Sequence, residues 1–398
     1  MGLQQSSHFR RLKENRNMRQ ILRHLQKLPG WDYLPGRVKA LAIAVANPAL
    51  YPRHVQVEVT KRCNLQCMVC AAASIGREKA PDLTLDAFKS LIDQIPSTEV
   101  VTINGVGESF LNGDFLDMIE YARSKNIETR FITNMTRVTP EAAERLVKAG
   151  NGEVIASIDT TDPEMFADIR RGAKLETVFN NIRSINEAKK KFGSDKPEVK
   201  VHAVLLNRTL PTIPQMVQDL KNLGIKHLTF VDFNVSGVNL DRQFRDGGRM
   251  YDECLLNNMS EQEIWQEIEK IKALADDSFT IVTPGEYGGL KGAAQAGTGV
   301  LTCSELWDSP FVTCDGFVTP CCWASHPSIF NLGNINEQPF EKIWFSDKYF
   351  KLRAQHVMNR HHTHCRQCQQ LTLTIADPSK AKCKKKSPRR YTKPFLFK

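Results

Sequence analysis

The chain has 398 residues, of which 41% are hydrophobic and 25% are charged, as in an ordinary globular protein with enough apolar material for a large core. No apolar run reaches the ~20 residues that a membrane span needs, because the longest candidate, residues 40–50, is interrupted by Asn47 and Pro48. The 11 cysteines are too few for a disulfide scaffold and are clustered. This usage is typical of metal ligation in a reducing compartment, and we predict a cytoplasmic protein without a transmembrane segment.

The net charge of +10 is carried by the two ends of the chain. Residues 1–62 hold 12 Lys and Arg against three acidic residues, and residues 380–398 hold nine basic residues and no acidic one. The ends are interpreted either as solvated arms or as contacts for nucleic acid, an anionic membrane surface, an acidic redox protein or an acidic substrate.

A basic, helical N-terminal segment is predicted for residues 1–53, and an alternation of strands and amphipathic helices follows over residues 54–235. Six strand-like runs are found, at residues 55–59, 99–104, 127–133, 153–159, 198–206 and 226–233. Thr84 and Thr139 are predicted to cap two of the intervening helices, and Gly150 and Gly224 to end two of them. Successive β/α units imply a parallel sheet, so the fold class is α/β, a partial (β/α)6 TIM-like barrel. Catalytic groups are then expected at the carboxyl ends of the strands.

The remainder of the chain is predicted to form a linker with active-site lining at residues 236–300, a small domain at 301–375 and a basic tail at 376–398. In the small domain, Asp315 and Gly316 predict a type I′ turn between two apolar strands. One helix is predicted over residues 340–358, and a second C-x₂-C pair follows it.

Cys63, Cys67 and Cys70 form a C-x₃-C-x₂-C group directly after the first predicted strand. Three thiolates can hold three irons of a cubane cluster and leave the fourth iron without a protein ligand, whereas a closed zinc site takes four ligands. The spacing and its place after the first strand of a partial barrel resemble the radical S-adenosylmethionine (SAM) superfamily. The resemblance implies a 4Fe-4S cluster whose open iron binds SAM, and reductive cleavage of SAM to a 5′-deoxyadenosyl radical.

The resemblance extends to residues that follow the later strands and that contact SAM in the family. They are Gly105, Gly107 and Glu108 after the second strand, Thr133 and Asn134 at the end of the third, Ser157 and Asp159 at the end of the fourth, and Arg170 beyond it. The family often carries an aromatic residue where this chain has Val69, a position that mainly offers backbone contacts to adenine.

The C-terminal part resembles the SPASM/twitch branch of the family, which houses auxiliary iron–sulfur clusters. Cys303, Gly316, Cys321 and the pair Cys365 and Cys368 follow its pattern. The resemblance implies one auxiliary 4Fe-4S cluster on the four cysteines of this set. Other ligands remain open, namely Cys314, Cys322 and Cys383 for a cluster and His361, His362 and His364 for zinc.

Three further residues are catalytic candidates in the predicted lining segment. Cys254 is either a packed loop cysteine or a thiol that returns a hydrogen atom to a substrate radical, as in radical SAM epimerases. Asp252 and Glu253 are candidate bases for an oxidation that yields a ketone or an aldehyde.

The sequence favours a radical SAM oxidoreductase or epimerase that abstracts a hydrogen atom from a small polar, carbohydrate-like substrate. The alternative is a maturase that epimerises or crosslinks a ribosomally made peptide. A more remote alternative is a zinc-dependent nucleic-acid-binding protein, for which the basic ends lack interleaved aromatic residues. The chemistry also implies a low-potential electron donor, a flavodoxin or ferredoxin.

Overall fold

A computed structural model describes residues 51–70, 80–232, 259–283, 303, 305–357 and 360–366. This part of the chain contains one sheet of ten strands. The strands are β1 His54–Val57, β2 Val100–Ile103, β3 Glu128–Thr133, β4 Glu153–Ser157, β5 Glu198–Leu205, β6 His227–Asp232, β7 Thr280–Val282, β8 Phe311–Val312, β9 Phe317–Thr319 and β10 Gly333–Asn334. The α-helices are α1 Leu85–Asp93, α2 Phe115–Ser124, α3 Pro140–Ala149, α4 Pro163–Ile169, α5 Leu175–Phe192, α6 Ile213–Asn222, α7 Glu261–Lys272, α8 Glu305–Asp308, α9 Phe340–Trp344, α10 Asp347–Val357 and α11 Thr363–Arg366.

Strands β1 to β7 are parallel and lie side by side in chain order, and helices connect β1 to β6. The order ends at β7 on one side and at β10 on the other, so the described strands form an open sheet. The predicted α/β partial barrel is therefore confirmed, and the carboxyl ends of its strands share one edge.

Four helix ends lie at the threonines and glycines that the sequence predicted to cap or end them. The Thr84 hydroxyl accepts a hydrogen bond from the Ala87 N–H at the start of α1, and Thr139 caps α3 in the same way. Gly150 ends α3 at φ 69°, and Gly224 follows α6 at φ 78°, in the left-handed region that glycine enters without steric cost. These four predictions are confirmed, and the apolar helix faces pack on the sheet in one continuous core.

The sheet extends into the segment that was predicted to be a linker. Strand β7 pairs in parallel with β6, with Thr229 opposite Val282. Phe279, Ile281 and Thr283 are buried, while Thr280 between them is exposed. This alternation is the sequence signal of a strand with one buried face, but it covers too few residues to stand out.

The C-terminal hairpin continues the same sheet on the other side of the barrel. Strand β8 pairs in parallel with β1 and antiparallel with β9. The predicted hairpin is present, but its turn type is wrong. The Thr313 N–H donates to the Phe317 carbonyl, leaving a three-residue loop in which Gly316 has a φ of 87° and Asp315 has no positive φ. A type I′ turn would need a positive φ at both central residues.

The single helix predicted over residues 340–358 is two helices, α9 and α10. Ser346 lies between them, and its hydroxyl accepts a hydrogen bond from the Tyr349 N–H, as an N-capping serine does. Among the helices of the described residues, none is both long and apolar enough to cross a bilayer.

Candidate active site

The three cysteines of the first group lie in the loop that leaves β1 at its carboxyl end. The loop is fixed by backbone hydrogen bonds to the C-terminal end of α4 and the turn after it, from the Met68 N–H to the Ile169 carbonyl at 2.8 Å and from the Gln66 N–H to the Arg171 carbonyl at 2.9 Å. The Cys70 N–H also donates to the Cys67 carbonyl at 3.2 Å. The structure thus brings the three thiols together in a short loop with two anchors.

Burial makes the thiol of Cys67 hard to ionise without a cation. Cys67 is 7% exposed, and burial raises its pKa to about 11, with smaller upward contributions from Cys70 and Cys63. The Arg170 guanidinium opposes this and lowers the pKa. Because metal ligation requires the thiolate, Arg170 supplies positive charge where it helps ligation.

Arg170 is held in this position by Asp159. Its Nε and Nη2 donate to the two carboxylate oxygens at 2.6 and 2.9 Å, and the Val204 N–H donates to the same carboxylate at 2.8 Å. Burial alone lowers the pKa of Arg170, but Asp159 outweighs it and the net shift is upward. Asp159 is 1% exposed and its carboxylate orients Arg170, while its contact with SAM stays a prediction.

The glycines after β2 allow the cysteine loop to approach closely. A Cβ on Gly107 would lie 2.7 Å from the Arg62 carbonyl oxygen and closer still to that of Thr60. A Cβ on Gly105 would lie 2.7 Å from the Glu58 side chain. The Glu108 N–H donates to the Arg62 carbonyl at 2.8 Å, which fixes the segment against the first residues of the loop.

The Glu108 side chain joins the ends of β2 and β3. Its carboxylate accepts hydrogen bonds from the Thr133 hydroxyl and the Asn134 N–H, both at 2.8 Å, and from the Phe110 N–H at 3.3 Å. Burial raises its pKa, while these donors lower it. Glu108 is 2% exposed, and three protein donors hold its carboxylate in place; the predicted bond from the SAM ammonium to this carboxylate stays a prediction.

Asn134, at the end of β3, lies close to the first cysteine of the loop. Its Nδ2 donates to the Asn64 Oδ1 at 3.0 Å and lies 3.9 Å from the Cys63 Sγ. Met135, which follows it, is fully buried and has a φ of 64°, a strained conformation for a residue with a Cβ. Its N–H donates to the Thr133 hydroxyl at 3.0 Å. No sequence signal marks this strain, because methionine is not a residue that favours the left-handed region.

Val69 and Ser157 are two further predicted SAM contacts among the described residues. Val69 is partly buried and packs against the apolar cluster of Met68, Ile169 and Leu206. Ser157 is partly buried at the end of β4, opposite His202 of β5. Cofactor binding by these residues stays a prediction.

A buried charged cluster that sequence reasoning missed connects the cysteine loop to the C-terminal hairpin. The Lys61 Nζ lies 3.2 Å from the Asp315 Oδ2, and Asp315 also accepts from the Thr313 hydroxyl. Glu58 is 3% exposed and accepts from the Val106 N–H at 3.1 Å. Burial raises the pKa of Glu58, and Lys61 lowers it. Lys61, just before the first cysteine, was the sequence signal for a buried ion pair. Its partner Asp315 could not be predicted, because it lies 254 residues away in the chain.

The C-terminal cysteines divide into two groups. Burial raises the pKa of Cys321 well above its ordinary value, and the neighbouring Cys322, Cys303 and Glu305 raise it further. Cys314 lies elsewhere, because its thiol is buried against Glu58; burial and that carboxylate raise its pKa to about 12. The structure therefore favours Cys303, Cys321 and Cys322 as neighbours and separates Cys314 from them.

Cys365 lies in α11 near the end of the final described segment and packs against the hydrophobic core, while Cys368 and Cys383 lie outside the described residues. Of the candidate zinc histidines, His364 donates from its Nε2 to the Trp323 carbonyl at 3.2 Å. Cys254, Asp252 and Glu253 also lie outside the described residues, and so do residues 1–50 and the basic tail.

The donor set fits iron–sulfur clusters at both places. Among the described residues, no three His, Cys, Asp or Glu side chains converge on a point that would suit a single metal ion. A four-iron cluster takes one thiolate per iron, so its ligands need not converge in this way. When bound, such a cluster with SAM supplies one-electron chemistry that leads to hydrogen abstraction. The chain itself orients Arg170, packs the loop on Gly107 and places an N–H of Asn134 beside Cys63.

An open parallel barrel with a three-cysteine loop after its first strand, joined to a cysteine-bearing hairpin, defines a class of cluster-binding barrel enzymes. The family model of the radical SAM superfamily matches residues 57–195, and that of the SPASM iron–sulfur cluster-binding domain matches residues 303–369. The chain belongs to the radical SAM superfamily and carries a SPASM domain. The predicted cofactors, a 4Fe-4S cluster with SAM and auxiliary iron–sulfur chemistry, follow from this membership.

Similar proteins come from several bacteria and archaea. The mycofactocin maturase MftC of Mycobacterium tuberculosis is 25% identical over 302 residues, which cover 74% of this chain and 70% of that protein. The AdoMet-dependent heme synthase of Methanosarcina barkeri is 26% identical over 325 residues, 78% of this chain and 86% of that protein. The crystal structure of Streptococcus suis SuiB bound to precursor peptide SuiA matches with a TM-score of 0.61 at 15% identity, covering 89% of this chain and 74% of SuiB. The likeness to SuiB shows the fold.

Proposed function

We propose that this radical SAM enzyme is a maturase that modifies a peptide substrate by hydrogen abstraction from carbon. The similarity to a maturase over 302 residues, which reaches across the barrel and the SPASM domain, carries the proposal. The fold that the chain shares with SuiB also accommodates a precursor peptide in that protein. These findings support a peptide better than the carbohydrate-like substrate that the sequence favoured.

The sequence favoured a small substrate because the segment before the first barrel strand, residues 1–53, is short for a peptide-recognition domain. Its residues 1–50 lie outside the described residues, so it gives no argument about how a substrate is recognised. Epimerisation, crosslinking and oxidation remain the candidate outcomes, and the electron donor remains a predicted flavodoxin or ferredoxin.

Three polar residues follow the carboxyl ends of β1 and β8, which is the edge of the sheet where substrates of barrel enzymes react. They are Glu58, Cys314 and Asp315.

The test uses anaerobically reconstituted full-length protein with SAM and a chemical reductant. The probes are synthetic, carbon-deuterated peptides that correspond to short reading frames beside the gene, and a parallel panel of nucleotide sugars. Deuterium in 5′-deoxyadenosine together with a mass change of one peptide is the expected result. The control is the variant Cys63→Ala/Cys67→Ala/Cys70→Ala, which should give neither. Transfer from a nucleotide sugar and from none of the peptides would contradict the proposal.

A further inference from the structure

The hydroxyl of Tyr349 in α10 is buried without a hydrogen-bond partner. Tyr349 is 0% exposed, and within the described part of the chain no donor or acceptor contacts its Oη. Buried tyrosine hydroxyls nearly always find a partner, because an unpaired polar group in an apolar environment is costly. The exception therefore indicates a group that binds beside this hydroxyl.

The surroundings of Tyr349 identify the nature of that group. Burial raises the pKa of its phenol, Arg353 opposes the shift, and Cys321, Glu305 and Cys303 raise it further. The ring therefore lies within electrostatic reach of two of the predicted auxiliary-cluster ligands. A phenol hydroxyl is a donor, and a sulfur atom held at those cysteines is an acceptor of the kind that the Tyr349 hydroxyl lacks.

A second polar side chain, Arg353, contacts the Tyr349 ring and has one nitrogen without a partner among the described residues. Arg353 is 1% exposed, and its guanidinium stacks on the rings of Tyr349 and Trp344, 4.0 and 4.2 Å from their centroids. Its Nε donates to the Leu306 carbonyl at 2.9 Å and its Nη1 to the Trp344 carbonyl at 3.0 Å, whereas its Nη2 has no partner among the described residues.

Arg353 is a buried cation without a matching carboxylate among the described residues. Burial lowers its pKa to about 10, and the group that opposes this shift is the Tyr349 phenol rather than an Asp or Glu. Cation–π contacts offset part of the desolvation cost, but a buried charge normally also has a charged partner. A cluster ligated by four thiolates is anionic and would be such a partner.

We propose that Tyr349 donates its hydroxyl hydrogen bond to a sulfur at the auxiliary cluster site on Cys303 and Cys321. Arg353, fixed by the two aromatic rings, supplies positive charge beside it. Both groups favour the reduced, more negative state of the cluster and so raise its reduction potential. The inference needs only the auxiliary cluster and does not depend on which substrate the enzyme takes.

The experiment measures the midpoint potential of the auxiliary cluster alone. The reconstituted full-length chain carries Cys63→Ala/Cys67→Ala/Cys70→Ala as the background, so that only the C-terminal cluster titrates. In that background we compare Tyr349→Phe, Arg353→Gln and Arg353→Lys. The matched control is Tyr121→Phe, because the Tyr121 hydroxyl donates to Asp93 at 2.7 Å on the exposed face of α2. Iron and sulfide contents are determined for every variant.

In Tyr349→Phe, the equilibrium constant for reduction should fall by about threefold to tenfold, since hydrogen bonds contribute on that scale. A tenfold fall corresponds to about 59 mV for one electron. Arg353→Gln should lower the potential, Arg353→Lys should retain most of it, and Tyr121→Phe should leave it unchanged. Full iron with an unchanged potential in both Tyr349→Phe and Arg353→Gln would overturn the proposal. Loss of iron in Tyr349→Phe alone would also overturn it, because the hydroxyl would then hold the cluster rather than tune it.

Discussion

Replacing Gly107 by alanine should displace the cysteine loop by a purely steric effect. The new Cβ would lie 2.7 Å from the Arg62 carbonyl oxygen and closer to that of Thr60, while real Cβ contacts essentially never fall below 3.0 Å. Both obstacles are backbone atoms in the segment that leads into Cys63, so no side chain can move aside. Overpacking of this kind costs about 1–3 kcal/mol, and here the loop must shift by at least several tenths of an ångström.

The assay is iron and sulfide content with the electron paramagnetic resonance spectrum of reconstituted Gly107→Ala. Iron should fall by about half, because the barrel cluster loses its ligand geometry while the SPASM domain keeps its own. The signal change on addition of SAM should disappear. Gly113→Ala is the matched control, since a Cβ there meets nothing within 4 Å. Full iron and an unaltered response to SAM in Gly107→Ala would refute the steric argument.

Three other expectations follow from the same contacts. Glu108→Gln replaces one acceptor oxygen by a donor facing N–H and O–H groups, so the free energy of unfolding in urea should fall by about 1–3 kcal/mol; a change in SAM affinity at unchanged stability would contradict this. Asp159→Asn leaves Arg170 as a buried unpaired cation and should cost about 3–5 kcal/mol in the same measurement, whereas exposed Asp117→Asn should cost far less. Lowering the pH should also lower the free energy of unfolding. Burial lowers the pKa of three histidines from 6.5 to about 4, so between these two values the unfolded chain binds more protons than the folded chain. Their contribution is complete above pH 6.5 and is lost as the pH falls toward 4, at up to about 1.4 kcal/mol per unit and residue, and flat unfolding midpoints between pH 7 and 5 would contradict it. The histidines are His54, His202 and His356.

The barrel could be predicted because its signals are local. Each of the six predicted strands has an apolar run of the right length, and Thr84 and Gly150 mark helix ends by chemistry that acts within one turn. Strand β7 was missed because three residues, Thr280–Val282, give too short an alternation to compete with the glycine-rich sequence around it. The break at Ser346 was missed because a polar residue inside an amphipathic pattern is ambiguous until its hydroxyl is seen to cap α10.

The candidate site was predicted only in part, since motif spacing identifies positions and not partners. Glu108 and Asp159 were assigned to SAM because both follow strand ends, and such positions usually line a barrel mouth. The structure uses both carboxylates internally, Asp159 on Arg170 and Glu108 on Thr133 and Asn134. The sequence could not predict these internal partners, because Arg170, Thr133 and Asn134 reach the carboxylates only through the fold, and the SAM contacts of both residues stay predictions.

One continuous sheet connects the barrel to the SPASM domain. The Gln56 amide in β1 donates to the Glu305 carboxylate at 3.1 Å and to the Ser309 hydroxyl at 2.8 Å, and it accepts from Asn104 at the end of β2 at 3.0 Å. Glu305 lies within electrostatic reach of Cys321. A chain of polar contacts thus runs from Asn104, at the carboxyl end of β2, through Gln56 to Glu305 of the SPASM domain. Because β8 also pairs with β1, the separation of the two sites is set by the sheet itself and not by a linker.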